Sequence, residues 1–278
     1  MEEILKLLDK YESLDFNNIT DDSKLILEIT NDLTKLGKKI LLLTKIEDES
    51  KVSLNGATAL GLIVKCIKLH ESIFEIFKTE KWEVIKILDR SFYEAVIVSQ
   101  YLMTNGEQSQ SNFRKISYRN YIKTQKKFKE SNLDKTNTAK TQKKQTEQAL
   151  KLDKFTIEEV EQHGKADNWK LDKKSFFDIH KSVKGEELYS IIYGLDSDIT
   201  HGNWREILHF HVISNKDGSF DPNFNYQKMD VKSLCPSNNM LIDLLCEYLK
   251  WREFEITELE NVLKNIRQFN RERTLEMI

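Results

Sequence analysis

The chain has 278 residues, of which 32% are charged and 39% hydrophobic, with a net charge of −2 at pH 7, nine glycines and two prolines. So few turn formers among so much Leu, Ile, Lys and Glu predict a helix-rich globular chain. Its longest apolar stretches are interrupted by Lys65, Lys68 and Glu71, or by Asp89, Arg90 and Glu94, which excludes a membrane span.

In chain order, residues 2–13 read as a short amphipathic helix. Thr20, Asp21 and Asp22 offer N-caps for a long helix to about Ile46, with Leu25, Ile29, Leu33, Leu36 and Ile40 at helical spacing. Asn55 and Gly56 are expected to break the pattern. A third helix then runs from Ala57 to Phe77, apolar on most sides and therefore central. The short turn KTEK leads to a fourth helix, from Trp82 to about Met103, antiparallel to the third. Asn105 and Gly106 close it, and a basic helix with interleaved aromatics follows to about Ser131. Residues 132–146 are rich in Lys, Thr and Gln and have almost nothing apolar, so they form either a loop or a solvated helix that continues to about Val160.

Phe176 and Phe177 anchor a further short helix. Residues 187–204, ELYSIIYGLDSDITHGNW, then place Tyr189, Tyr193, Ser197 and His201 on one helical stripe that ends at Gly202. ILHFHVIS and the NKDGS turn predict at most a short β-hairpin near residues 206–220, and one long helix from Ser237 to Leu275 closes the chain. The absence of a repeat or a linker predicts a single all-α domain over residues 1–278.

Two constellations carry candidate chemistry. The stripe ends in an imidazole at a helix C-terminus, where the helix dipole favours the protonated ring and so a general acid or a phosphate partner. There His201 and Ser197 are candidate catalytic groups, and Tyr189 and Tyr193 a pocket wall. The second is Arg90 with Glu94 one turn on, a charged pair at the start of an apolar half-helix, where burial requires a partner; both are candidate catalytic groups, Arg90 facing the same pocket as His201 and binding a phosphate with Glu94 orienting it. The first constellation reads equally as helix packing with a histidine cap, the second as a structural ion pair.

Residues 114–154 hold thirteen Lys or Arg against four acids, a local +9. Arg114, Arg119, Lys123, Lys126 and Lys127, interleaved with Phe113, Tyr118, Tyr121 and Phe128, are the candidate nucleic-acid contacts. The alternative is a solvated surface. His209 and His211 lack a carboxylate at ligand spacing, so no metal is expected, and no P-loop or dinucleotide fingerprint calls for a cofactor. Three cysteines without metal-type spacing and an acidic amphipathic N-terminus fit a reduced cytoplasmic chain without a secretory signal.

The segments ILDRSFYEAVIVSQYL and YSIIYGLDSDITHGNW resemble a bacterial helical family of unknown function. Its pattern is an Arg-Ser-x-x-Glu helix followed by a Tyr-x3-Tyr-x3-Ser-x3-His-Gly helix. The resemblance covers about residues 57–204 and maps Arg90, Ser91, Glu94, Tyr193, Ser197, His201 and Gly202 onto that pattern, leaving the N-terminal helices (1–50) and the C-terminal helix (237–275) outside. That family is similar to the HEPN class of helical domains, several of which are metal-independent endoribonucleases in phage defence and toxin–antitoxin pairs. The resemblance implies RNA as substrate, a protein partner from such an operon and a homodimer. The hallmark arginine of that class would fall at Gly194, Leu195 or Asp196, and none of these is arginine. The reading from another class is a non-catalytic helical adaptor or sensor, in which Arg90, Glu94, Ser197 and His201 form a polar network or hold a small ligand.

Overall fold

The computed structural model describes residues 2–47, 52–163, 170–186, 189, 204–255 and 257–277. Among them are ten α-helices: α1 (Glu2–Glu12), α2 (Asp22–Glu47), α3 (Leu54–Phe77), α4 (Trp82–Glu130), α5 (Asn137–Asp153), α6 (Ile157–His163), α7 (Phe176–Lys184), α8 (Trp204–Phe210), α9 (Cys235–Trp251) and α10 (Thr257–Leu275). A two-stranded antiparallel hairpin, β1 (Val212–Ser214) and β2 (Phe220–Pro222), pairs Ile213 with Asp221. The fold is all-α. Among the described residues no helix is long and apolar enough to cross a membrane.

The main core lies where α2, α3, the first half of α4, α9 and α10 meet, around Ile29, Leu33, Ile63, Phe92, Leu244 and Phe269. Polar groups inside it are matched in a chain. The Thr34 hydroxyl lies 2.8 Å from His70 Nδ1, His70 Nε2 lies 2.9 Å from Asn238 Oδ1, and Asn238 Nδ2 donates to Thr30 Oγ1 at 3.0 Å. Because the Asn238 amide nitrogen faces Thr30, its oxygen must accept, so His70 carries its proton on Nε2 and accepts from Thr34 on Nδ1. All four residues are buried, and the chain fixes α2, α3 and α9 in one mutual register.

Helix α4 is one element where two were expected, because its two halves join across Gly106 (φ 73°, ψ −168°). That backbone region is open essentially only to glycine. The carbonyls just before the break receive side-chain donors: Thr104 Oγ1 to Gln100, Asn105 Nδ2 to Tyr101 and Gln110 Nε2 to Leu102, at 2.9, 2.9 and 3.0 Å. Beyond it the chain makes a second, smaller core with α5 and α6, around Ile122, Leu150 and Val160, with Tyr118 and Phe155 against it.

Three other expectations are corrected. Helix α3 starts at Leu54, because Ser53 caps the Gly56 N–H at 3.0 Å, and a side chain at Gly56 would press on the Trp251 ring. Residues 204–210 are helical and only 212–214 form the first strand. The long C-terminal helix is two helices, α9 and α10. Glu253 (φ 60°) takes the left-handed position, its N–H bonding to the Lys250 carbonyl and that of Phe254 to Leu249. This is a Schellman ending. Asn132 and Lys154 end α4 and α5 in the same way.

Gly106→Ala should lower stability by about 1–3 kcal/mol. Nothing lies within 4 Å of the added methyl group, so the loss is conformational rather than steric; a denaturant midpoint that does not move would show the kink to be unstrained. His70 gives a pH signature. Burial pushes its pKa from the ordinary 6.5 down to about 4. Between these values the unfolded chain binds more protons than the native one, so stability rises with pH. The contribution is fully present above pH 6.5 and lost on acidification toward pH 4, on the order of 3 kcal/mol in total. His70→Gln should flatten that stretch of a stability–pH curve.

Candidate functional site

The first half of α4 and the short α7 build the candidate site. Helix α7 is placed by what precedes it. Leu171 and Lys174 exchange backbone hydrogen bonds around Asp172 and Lys173, whose φ values of 53° and 65° make a tight left-handed turn. The Asp172 carboxylate accepts from Tyr101 at 3.0 Å on one side of the Gly106 kink, and from Ser109 and Asn112 at 2.5 and 2.7 Å on the other. Burial alone would raise its pKa; the hydrogen bonds from Asn112, Ser109 and Tyr101 more than reverse this and hold it below the usual carboxylate range. Ser175 then starts α7 with a capping box closed by Asp178.

So fixed, α7 lays His180 against α4. His180 is fully buried and its Nε2 is hydrogen-bonded to the Tyr93 hydroxyl. Burial lowers its pKa and Lys184 adds to that, while the Gly185 backbone opposes it, so the ring is neutral near pH 7. Tyr189 closes over this pair, with its ring 5.3 Å from His180 and 4.9 Å from Phe177, centroid to centroid and edge-on in both contacts.

Arg90 lies one turn before Tyr93 on α4, and Glu94 follows Tyr93 directly. Arg90 Nε bonds Glu94 Oε1 at 3.1 Å; the arginine side chain is 14% exposed and the glutamate 41%. Tyr189 feels both. Burial raises the pKa of its phenol, Arg90 lowers it and Glu94 raises it. The start of the stripe segment is therefore brought beside the Arg-Ser-x-x-Glu helix. Tyr193, Ser197 and His201 lie outside the described residues.

The basic candidates divide. Arg114 is turned inward, with its Nε 3.2 Å from Asp153 Oδ1 and its terminal nitrogens donating to Thr58 Oγ1 at 2.9 Å and Asn55 Oδ1 at 2.6 Å. It ties the smaller core to the start of α3. Arg119 is 9% exposed. Lys123, Lys126 and Lys127 are exposed, with Lys126 paired to Glu161 at 2.7 Å. Only the three lysines can meet a ligand without unpacking the helices.

Sequence reasoning missed Tyr93, His180 and Asp172. A histidine on the apolar side of α7, between Ile179 and Val183, was the available signal for the second. Among the described residues no group of three or more His, Cys, Asp or Glu converges as a metal site would require.

An all-α chain with a half-buried arginine–glutamate pair beside Tyr189 is the class that fold and site define. Residues 57–220 match the family of unknown function DUF5677, and the chain belongs to that family. No curated protein and no solved structure shows significant similarity to it.

Removing the buried bond tests how the site is held. Tyr93→Phe and His180→Ala should each cost about 1–3 kcal/mol, because each strands a polar partner inside the protein. Their double variant should lose less than the two losses added. Strictly additive losses would mean that the two side chains do not interact.

Proposed function

We propose that this chain is a HEPN-like, metal-independent endoribonuclease of a defence or toxin-type system, acting at the junction of the Arg90–Glu94 pair with the Tyr189–His201 segment. The observation that carries this reading is the arginine itself. Its side chain is largely withdrawn from water, its Nε edge is oriented by Glu94, and it lies beside the first tyrosine of the stripe. A guanidinium held in one orientation suits a phosphate, whose developing negative charge it stabilises as the transition state forms.

In the proposed reaction the RNA 2′-hydroxyl attacks the adjacent phosphorus and the 5′-oxygen leaves. The products are a 2′,3′-cyclic phosphate and a 5′-hydroxyl. The proton lost by the 2′-hydroxyl and the proton gained by the leaving oxygen are the work of a general base and a general acid. His201 is assigned one of those two roles and Ser197 its orientation. Lys123, Lys126 and Lys127 guide the strand by neutralising its phosphates.

A second reading has its own observation. The Tyr93–His180–Tyr189 cluster is tightly packed and its histidine is buried, as suits a structural network in a non-catalytic adaptor or sensor.

Incubating the pure chain with mixed cellular RNA in EDTA separates the two. Cleavage with 2′,3′-cyclic phosphate ends is expected, and His201→Ala and Arg90→Ala should each slow it about 10²–10³-fold or more. Replacing the three lysines by glutamine should weaken RNA binding and reduce the salt slope by roughly 2. An intact, folded chain that leaves RNA uncut would remove the nuclease reading and leave the adaptor.

A further inference from the structure

The smaller core leaves a cavity of about 410 Å³ between the end of α4, α5 and α6. That volume falls in the range of small-molecule sites, about 300–1,000 Å³. Its apolar lining is Ile122 and Leu150, which belong to the smaller core, and Ile157, which is 46% exposed. Ile157 is apolar surface that a ligand in the cavity would cover.

The polar lining narrows the chemistry of that ligand. Thr146 donates its hydroxyl to the Gln142 carbonyl at 2.9 Å, so its oxygen is left to accept. Two of the lining carboxylates are met by lysines, Glu161 by Lys126 at 2.7 Å and Glu147, more loosely, by Lys143 at 3.8 Å. Among the described residues Asp134 and Lys129, which also line the cavity, have no ion-pair partner. The cavity therefore offers an apolar wall, acceptors for N–H donors, and an unpaired ammonium for an anion. A fatty acid would leave the acceptors unmatched, and a sugar would leave the apolar wall uncovered. A nucleotide supplies all three parts: a flat ring, amino N–H groups and a phosphate.

We propose that this cavity receives one unstacked base of the RNA strand guided by Lys123, Lys126 and Lys127, and that it selects bases carrying an exocyclic amino group. The proposal rests on the RNA-guiding role assigned to those lysines above. Lys126 belongs to both features, and Lys123 lies one turn before it on α4, so a strand that follows these lysines passes the cavity. Adenine, cytosine and guanine bring an NH2 group to the Asp134 carboxylate and the Thr146 oxygen. Uracil brings one ring N–H between two carbonyl oxygens, which a carboxylate repels. Single-stranded RNA is read in this way, by bases splayed out of the stack and bonded along their edges. Lys129 then neutralises the phosphate of the captured nucleotide.

Fluorescence anisotropy of the full chain with short labelled oligo(A), oligo(C) and oligo(U) tests it. The strands carry 2′-O-methyl groups, which leave no 2′-hydroxyl to attack, so binding is read without cleavage. Oligo(A) and oligo(C) should bind about tenfold or more tighter than oligo(U) at one salt concentration. Asp134→Ala combined with Ile157→Ser should bring the three strands to one affinity, with circular dichroism and melting unchanged, since both side chains are exposed. Lys123→Gln should instead weaken all three alike. Equal binding of the three strands by the unaltered chain overturns the proposal, and so does a preference that survives the double substitution. If no strand binds but adenosine monophosphate does, and the double variant loses it, the cavity holds a free nucleotide and the RNA assignment is wrong. Cleavage of unmodified RNA is scored separately. A chain that shows the base preference and cuts nothing loses the nuclease reading and keeps this one; a chain that cuts without the preference does the reverse.

Discussion

One carboxylate holds the two halves of α4 at their angle. Asp172 reaches across the break in α4 and accepts from Tyr101 before Gly106 and from Ser109 and Asn112 after it. A break at glycine has no stiffness of its own, since the backbone there is at its most permissive. Three hydrogen bonds to one ionised group, each stronger than a neutral pair, provide the stiffness instead. Asp172 itself sits in a left-handed conformation that costs a residue other than glycine on the order of 1 kcal/mol. The hydrogen bonds outweigh that cost, so one turn both clamps the kink and starts α7.

The consequence reaches the candidate site in two steps. Because the turn is fixed, the capping box at Ser175 starts α7 at a fixed place, and His180 arrives opposite Tyr93. That bond sets the floor on which Tyr189 lies, beside Arg90 and Glu94. The smaller core with the lysine surface hangs from the other side of the kink. The position of those lysines relative to Arg90 is therefore set by Gly106 and Asp172 together, and a loosened kink would move the two apart without touching either.

Much of this was legible and some was not, for identifiable reasons. Periodicity located α2, α3 and the first half of α4, because each buries a continuous apolar stripe whose spacing survives in the sequence. Asn105 and Gly106 marked the kink, though a stop and a kink leave the same trace. The end of α9 left none: Glu253, rather than glycine, takes the left-handed position, and Leu259 and Leu263 carry the helical period on beyond it. The pairing of Arg90 with Glu94 was readable from their spacing; the Tyr93–His180 bond was not, since its partners lie 87 positions apart and each looks like ordinary packing. Arg114 misled for a related reason. A basic residue in a basic stretch looks solvated until Asp153, Thr58 and Asn55 are folded around it.

Magnitudes bear on what Arg90 is for. With Glu94 41% exposed, the pair is close to a surface ion pair, which contributes about 0–1 kcal/mol. Withdrawing an arginine side chain from water until it is 14% exposed carries a desolvation cost, several kcal/mol for a fully buried ion, and an apolar side chain of similar size would avoid it. The bond to Glu94 alone is thus a weak reason for an arginine here; Arg114, with four nearby oxygen partners, is a structural joint. The asymmetry of the pair points the same way. Glu94 remains half in solvent and orients the inner cation, an arrangement that suits holding an anion delivered from outside better than bracing two helices. This supports a phosphate-facing role for Arg90, and it places the decisive comparison between Arg90→Lys, which keeps the charge but loses the planar fork, and Arg90→Ala.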